Sequence, residues 1–228
     1  MDLDNLGKIK NARKSSSSIE LLIVIGVAFI LSFVPFIRIP FSWIMTYFHE
    51  ISHGIGSLIT GGSVVKIQLH LMGSGMCYTV GGNRFVVLQA GYLGAVVWGV
   101  LIYRMTDGMR TKGVNRIAVF LAGLVAVSTI LYGRDVITWS ILLVLFGLFV
   151  SIVKLRATSF VELSLKFIGV YVLLDAIRAP LQLIDGRHYG DAAKLSDLTM
   201  IPEVFWVVLW MVTGVYGVWY LWKSSRKA

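Results

Sequence analysis

The chain has 228 residues, of which 57% are hydrophobic and 14% charged, with a mean hydropathy of +0.78; soluble domains carry about 25% charged residues, so this composition excludes an ordinary soluble domain. The 21 Lys and Arg outweigh 12 Asp and Glu by nine charges, but they lie mostly in tails and short connections, which is typical of charges that set membrane topology and argues against nucleic acid as a partner. Cys77 is the only cysteine, which excludes an intrachain disulfide and a multi-cysteine metal site.

The N-terminal segment divides into a polar tail and an apolar run. Residues 1–18 are basic and end in four serines, and they are typical of a disordered tail. Residues 19–228 are expected to form a single membrane-embedded domain. The first apolar run, 21–37, lacks a small-residue cleavage site, so we expect an anchor rather than a signal peptide. Arg38 and Pro40 are expected to end it.

The next two segments differ from a plain membrane helix. Residues 41–60 read FSWIMTYFHEISHGIGSLIT, an apolar helix interrupted by His, Glu and His. Residues 63–80 alternate polar and apolar side chains around the glycine-rich turn 72–75, which predicts a β-hairpin. An open hairpin cannot face lipid with unpaired backbone groups, so it must lie at the interface or line a protein cavity.

Five further apolar runs complete the chain, at about 84–104, 116–132, 136–153, 160–184 and 202–222. The only long connection between them has room for a short interfacial helix starting near Asp191. The pattern predicts an all-α polytopic membrane protein with six to seven transmembrane helices and a small β-hairpin beside the active site. Basic segments at both ends predict that both termini lie in the cytoplasm, which seven full crossings cannot achieve. Either one element in the N-terminal half does not cross fully or one basic stretch breaks the rule, and we favour segment 41–60 as the incomplete crossing.

The main chemical signal is His49-Glu50-Ile51-Ser52-His53. The two histidines are four residues apart, so both imidazoles can reach one metal from one face of a helix, with Glu50 beside a bound water. Zinc would lower the pKa of that water to about 7, and the glutamate would take and later deliver its proton. Ionisable groups in an apolar helix are usually functional. The alternative is a polar cluster that packs helices or lies at the interface.

At this point the chain resembles a known family, the site-2 proteases, and most closely their compact branch, the peptidase M50B-like membrane proteins. The resemblance covers most of the chain from about residue 45. Its motifs are His49–Gly54, Thr60–Val64 with the hairpin, Ala90–Gly94, Gly190–Ala193 and Thr199–Pro202. The resemblance implies peptide-bond hydrolysis within the membrane, with zinc bound by two histidines and a distant aspartate.

The third ligand has two candidates. Typical site-2 proteases place this aspartate in an Asn-Pro-containing stretch ending Leu-Asp-Gly, of which this chain has only an echo at 183–186. Asp175 lies in an apolar run, where a carboxylate needs a metal or a cation such as Arg178. Asp191 lies in a Gly-Asp-Ala-Ala stretch, where it could instead be a helix N-cap. We favour Asp175 as the third zinc ligand.

Other polar and small residues receive simpler interpretations. Gln89 is expected to form an interhelical hydrogen bond, and Gly91 and Gly94 to serve close helix packing. His70 and His188 lie in loops and are expected to be solvated. The hairpin edge could hold an extended substrate.

The sequence therefore predicts an intramembrane zinc metalloprotease, with Glu50 as general base and His49, His53 and Asp175 as zinc ligands. Its partners would be the lipid bilayer and a membrane-anchored polypeptide substrate whose helix unwinds locally. One alternative is a non-catalytic scaffold or regulatory protein of the same fold, which the presence of Glu50 argues against. Another is an ion or proton transporter, which the absence of an internal repeat argues against.

Overall fold

A computed structural model describes residues 18–107, 111–154, 158–184 and 186–226. Residues 1–17 of the predicted tail and Asp185 lie outside the described residues. The helices are α1 Ser18–Leu31, α2 Pro35–Ile59, α3 Arg84–Thr106, α4 Thr111–Tyr132, α5 Val136–Lys154, α6 Thr158–Arg178, α7 Asp191–Thr199 and α8 Glu203–Ser225. The strands are β1 Ser63–Leu69 and β2 Gly75–Val80, and a 3-10 turn, Ala179–Leu183, follows α6.

The described helices include four that are long and apolar enough to cross a membrane: α3, α4, α5 and α8. Helices α1 and α2 are long and apolar enough to cross only when they are counted together, as one span bent by 114°. With this pair included, the described helices provide five candidate spans at most. The predicted number of six to seven crossings is not confirmed. Helix α6 falls outside this set because Glu162, Lys166 and Asp175 interrupt its apolar sequence.

The break between α1 and α2 lies earlier than predicted. The chain leaves the helix at Ser32–Val34, whereas Pro40 lies inside α2, so the predicted end at Arg38 and Pro40 is wrong. The reason is Pro35, which occupies the start of α2 and pushes Val34 into an extended conformation with φ −89° and ψ 109°.

Helix α3 is the central element, and it packs most extensively against α2 on one side and α6 on the other. Helix α8 packs against both α3 and α6. As predicted, Gln89 forms an interhelical hydrogen bond: its Oε1 accepts from Trp210 Nε1 of α8 at 2.8 Å. The face of α2 that carries His49 and His53 lies against Gly91 of α3 inside the bundle.

The predicted hairpin is present, and two side chains of α2 hold its turn. Trp43 Nε1 donates to the carbonyl of Leu71 at 2.9 Å, and Thr46 Oγ1 donates to the carbonyl of Gly73 at 2.7 Å. Strand β1 is covered on its outer side by the α4–α5 connection, where Gly133 forms a bridge with Ile67. The start of α5 adds a hydrogen bond, in which the Leu69 N–H donates to Thr138 Oγ1 at 2.9 Å. Among the described residues, no strand pairs with the outer edge of β2.

A buried ion network ties three helices together at the end of the bundle where α6 begins. The Lys166 ammonium lies 3.1 Å from Glu20 of α1, 2.9 Å from Asp107 after α3 and 2.9 Å from Glu162 of α6. Lys166 is 1% exposed. A buried cation needs such partners, because its desolvation costs several kcal/mol.

Candidate metal centre

Helix α2 supplies three buried ionisable side chains, as its sequence predicts. His49, Glu50 and His53 are each less than one-tenth exposed. The imidazoles of the two histidines lie one helical turn apart, with their Nε2 atoms 2.9 Å from each other. Two nitrogens at this distance need a shared proton or a cation between them, because two lone pairs would repel.

Asp191 completes the cluster from a distant part of the sequence. Its Oδ2 lies 3.1 Å from His49 Nε2 and 3.1 Å from His53 Nε2. These three residues are the only group of three or more potential metal ligands in the described part of the chain. Zinc binds such atoms at about 2.0–2.2 Å, and a triangle with sides of 2.9–3.1 Å leaves a point within that reach of all three corners. The donor set therefore fits a zinc ion.

The turn before α7 brings Asp191 to the histidines. Gly190 adopts φ +94°, a left-handed conformation that favours glycine, and Asp191 is the first residue of α7. The Asp191 side chain does not cap the helix but faces His49 and His53, so the N-cap interpretation is wrong. Burial alone would raise the pKa of Asp191, but the two imidazoles outweigh it and hold that pKa well below its usual range.

Asp175, which the sequence favours as the third ligand, is not part of this cluster, whereas Asp191 is. Asp175 lines the same cavity but lies in the electrostatic range of Arg178 and Arg38. Arg178 in turn donates a hydrogen bond to Ser32 Oγ.

Helix α3 orients both histidines. The His53 Nδ1–H donates to the carbonyl of Val87 at 2.6 Å, which leaves the Nε2 lone pair free for a metal. The His49 ring packs edge-on against Tyr92, with ring centroids 4.4 Å apart. Gly91 lies against both imidazoles and Gly94 against Ser52, so the predicted close packing at these glycines is confirmed. No sequence signal indicated the carbonyl of Val87, and Tyr92 was visible only as part of the Ala90–Gly94 motif.

Glu50 lies between the histidines and the hairpin. Its Oε1 is close enough to Gly75 that a β-carbon there would lie 3.0 Å away, and its carboxylate interacts with the backbone of Cys77. The hairpin thus lies beside the cluster, as predicted. A cavity of about 740 Å³ connects Glu50, both histidines, Asp191 and strand β2.

The remaining histidines lie outside the cluster. His70 is exposed at the end of β1. His188 is also exposed, and its ring contacts the carboxylates of Asp197 and Glu203. Neither histidine takes part in the described group of potential metal ligands.

Together, the apolar helices and the buried His-His-Asp cluster define a multi-pass membrane protein with an internal candidate metal site. The chain belongs to the peptidase M50B-like family, whose model matches residues 22–221. Membership implies a membrane peptidase, in line with the resemblance seen in the sequence. Comparison with curated proteins and with solved structures found no significant match.

Proposed function

We propose that the chain is an intramembrane zinc metalloprotease whose zinc is held by His49, His53 and Asp191. The observation that carries the proposal is the convergence of two imidazole nitrogens and one carboxylate oxygen within 3.1 Å of one another, next to the buried Glu50. Three protein ligands with one open position are typical of catalytic rather than structural zinc. The peptidase family of the chain supports the same reaction class.

Zinc, when bound, supplies a Lewis acid and lowers the pKa of a coordinated water to about 7. The side chains and backbone of the protein then carry out proton transfer and hold the ligands in place. Glu50 accepts the proton of the attacking water and delivers it to the leaving nitrogen. The Val87 carbonyl keeps His53 in the tautomer that leaves Nε2 free. The bundle limits access of bulk water, since each of the three α2 side chains is nearly buried.

The proposed substrate is a membrane-anchored polypeptide that enters the cavity in an extended form. Its backbone can pair with the outer edge of β2, because no described strand occupies that edge and residues of β2 line the cavity. Adding a strand to an open edge is a general way of holding extended peptides. Such pairing places the substrate backbone beside Glu50, which contacts β2 at Gly75.

We also infer six helical crossings: the bent pair α1–α2 as one, and α3, α4, α5, α6 and α8. Helix α6 has 21 residues, which is enough to cross, and its Glu162 and Lys166 form ion pairs inside the protein. Single cysteines at Lys154 and Arg187, in a Cys77→Ser background, should react with a membrane-impermeant reagent from opposite sides. Labelling of both from the same side would contradict the crossing of α6.

The test of the proposed function uses the purified full chain in detergent. Wild type and Glu50→Gln should each hold about one zinc per chain, whereas His49→Ala should lose most of it. Hydrolysis of a pool of fluorogenic peptides in the same detergent should fall at least about 10²-fold in Glu50→Gln, because general-base catalysis contributes about 10²–10⁴. Glu162→Gln, at the distant Lys166 network, is the matched control and should retain activity.

The outcomes separate the alternatives. Full hydrolysis by Glu50→Gln would remove Glu50 from the reaction, whereas a wild type that binds zinc but hydrolyses no peptide would leave a non-catalytic or scaffold role. Full zinc content in His49→Ala would remove the metal site from the proposal. A wild type that binds zinc, hydrolyses no peptide and moves ions in vesicles would favour the transporter.

A further inference from the structure

Tyr92 is held in one position between two aromatic rings. It follows Gly91 on α3, and it is 7% exposed. Its ring packs edge-on against His49 at 4.4 Å between centroids and stacks on Trp210 at 4.5 Å with an interplanar angle of 28°. Trp210 is itself fixed by its hydrogen bond to Gln89. The direction of the Tyr92 hydroxyl is therefore set by the packing of α2, α3 and α8.

The hydroxyl of Tyr92 has no hydrogen-bond partner among the described residues, although buried tyrosine hydroxyls usually find one. Tyr47, by comparison, bonds Ser128 at 2.9 Å. The hydroxyls of Tyr103 and Tyr171 are sealed in the protein without a partner, whereas Tyr92 lines the cavity, so its hydroxyl can reach a bound ligand.

The Tyr92 ring lies beside the groups that would carry the reaction. It packs against His49, a candidate ligand, and it lines the same cavity as Glu50 and Asp191. A phenol hydroxyl in this cavity can donate one hydrogen bond.

We propose that Tyr92 is a further catalytic residue, whose hydroxyl donates a hydrogen bond to the oxygen of the scissile carbonyl as that oxygen becomes negative; this rests on the proposed peptidase function. Water oxygen bonds to the carbonyl carbon, the π electron pair moves to the carbonyl oxygen, and Glu50 takes the water proton. The pair then returns, the C–N bond breaks, and Glu50 delivers the proton to the nitrogen. A donor fixed before the reaction stabilises this oxyanion without the cost of reorganising water.

A purely structural role is the competing explanation, because the Tyr92 ring also packs against His49. Tyr92→Phe separates the two, since it keeps the ring and both aromatic contacts and removes only the hydroxyl. Tyr103→Phe is the matched control: it lies on the same helix, and it also removes a hydroxyl that has no partner.

The first measurement compares zinc content, thermal unfolding and peptide hydrolysis of the three purified proteins. Zinc content and unfolding temperature should agree among them. In Tyr92→Phe, kcat should fall about 10- to 10²-fold while KM changes less than about threefold, because the bond forms only in the transition state. Tyr103→Phe should retain kcat within about twofold. Loss of zinc in Tyr92→Phe would instead establish a positioning role and overturn the proposal.

The second measurement needs no turnover. A mixture of phosphinic peptides, whose tetrahedral P–O⁻ group imitates the oxyanion, should bind zinc-loaded Tyr92→Phe about tenfold more weakly than wild type, whereas acetohydroxamate should bind both alike. Unchanged kcat or unchanged phosphinate affinity would overturn the role of Tyr92. If wild type binds zinc and phosphinate in a Tyr92-dependent way but hydrolyses no peptide, the proposed function fails while the donor assignment stands. Absence of both zinc and phosphinate binding would reject both.

Discussion

Gly91 of α3 lies directly against the imidazole of His53: a β-carbon at position 91 would lie 2.5 Å from both Cε1 and Nε2 of that ring. It would also lie 2.6 Å from Cε1 of His49. No real side chain tolerates such distances, so the absence of a side chain at position 91 is what allows α3 to press both imidazoles towards Asp191. The geometry of the candidate metal centre thus depends on a helix contact as much as on its ligands.

The first prediction concerns that contact. Gly91→Ala should lower zinc affinity by about tenfold or more, because the added methyl group must displace the imidazoles or push α3 away. Zinc titration of the purified variant measures this. Gly123→Ala, on α4, has open space around its α-carbon and should bind zinc as wild type does. Equal affinity in Gly91→Ala would mean that α3 does not constrain the histidines.

The second prediction compares the two aspartates. Asp191→Asn should weaken zinc binding by about tenfold or more, since an amide oxygen is a neutral and poorer ligand than a carboxylate. Asp175→Asn should leave zinc binding within a few-fold, because Asp175 is not in the cluster. Parallel zinc titrations decide between them, and the opposite ranking would restore Asp175 as the ligand.

The third prediction concerns the buried network at the start of α6. Lys166→Met should lower the free energy of unfolding by about 2–4 kcal/mol, because Glu20, Asp107 and Glu162 would then lack their shared cation. Denaturation in a fixed detergent measures the change. Arg116→Met removes an exposed cation from α4 and should change stability by less than about 0.5 kcal/mol. Equal stability of the two variants would contradict a structural role for the network.

The fourth prediction is a pH dependence near α7. Hydrogen bonds from His188 to Asp197 and Glu203 raise the pKa of His188 above its ordinary value of 6.5. A raised folded-state pKa means that the stabilisation is fully present below about pH 6.5 and is lost as pH rises through the folded-state pKa.

Thermal unfolding of wild type and His188→Gln across this range measures that dependence. Wild type should be the more stable of the two at low pH, and the difference should shrink as the pH rises. Asp197→Asn removes one carboxylate partner of His188. In that background, the difference in unfolding temperature that His188→Gln causes at low pH should be smaller. A gap that widens with rising pH would have the wrong sign for this contact.

Local sequence patterns predicted much of the fold. The hairpin at 63–80, the short helix at Asp191 and the five later apolar helices all appear close to their expected positions. Each depends on interactions between near neighbours, such as strand alternation, a glycine-rich turn or a continuous apolar run. The α1–α2 break was misplaced because two prolines compete there, and Pro35, not Pro40, sets the start of α2.

The candidate site also has a part that depends on near neighbours in the sequence and a part that depends on distant ones. His49, Glu50 and His53 could be recognised from the sequence because their spacing alone places them on one face of one helix. The third member could not, because Asp191 is 142 residues from His49 along the chain. Asp175 and Asp191 are both plausible in isolation, and only the packed bundle, in which α7 contacts α3 and α8, decides which carboxylate reaches the histidines. Ligand spacing within a helix is a property of local geometry, whereas convergence of distant segments is a property of the packed bundle.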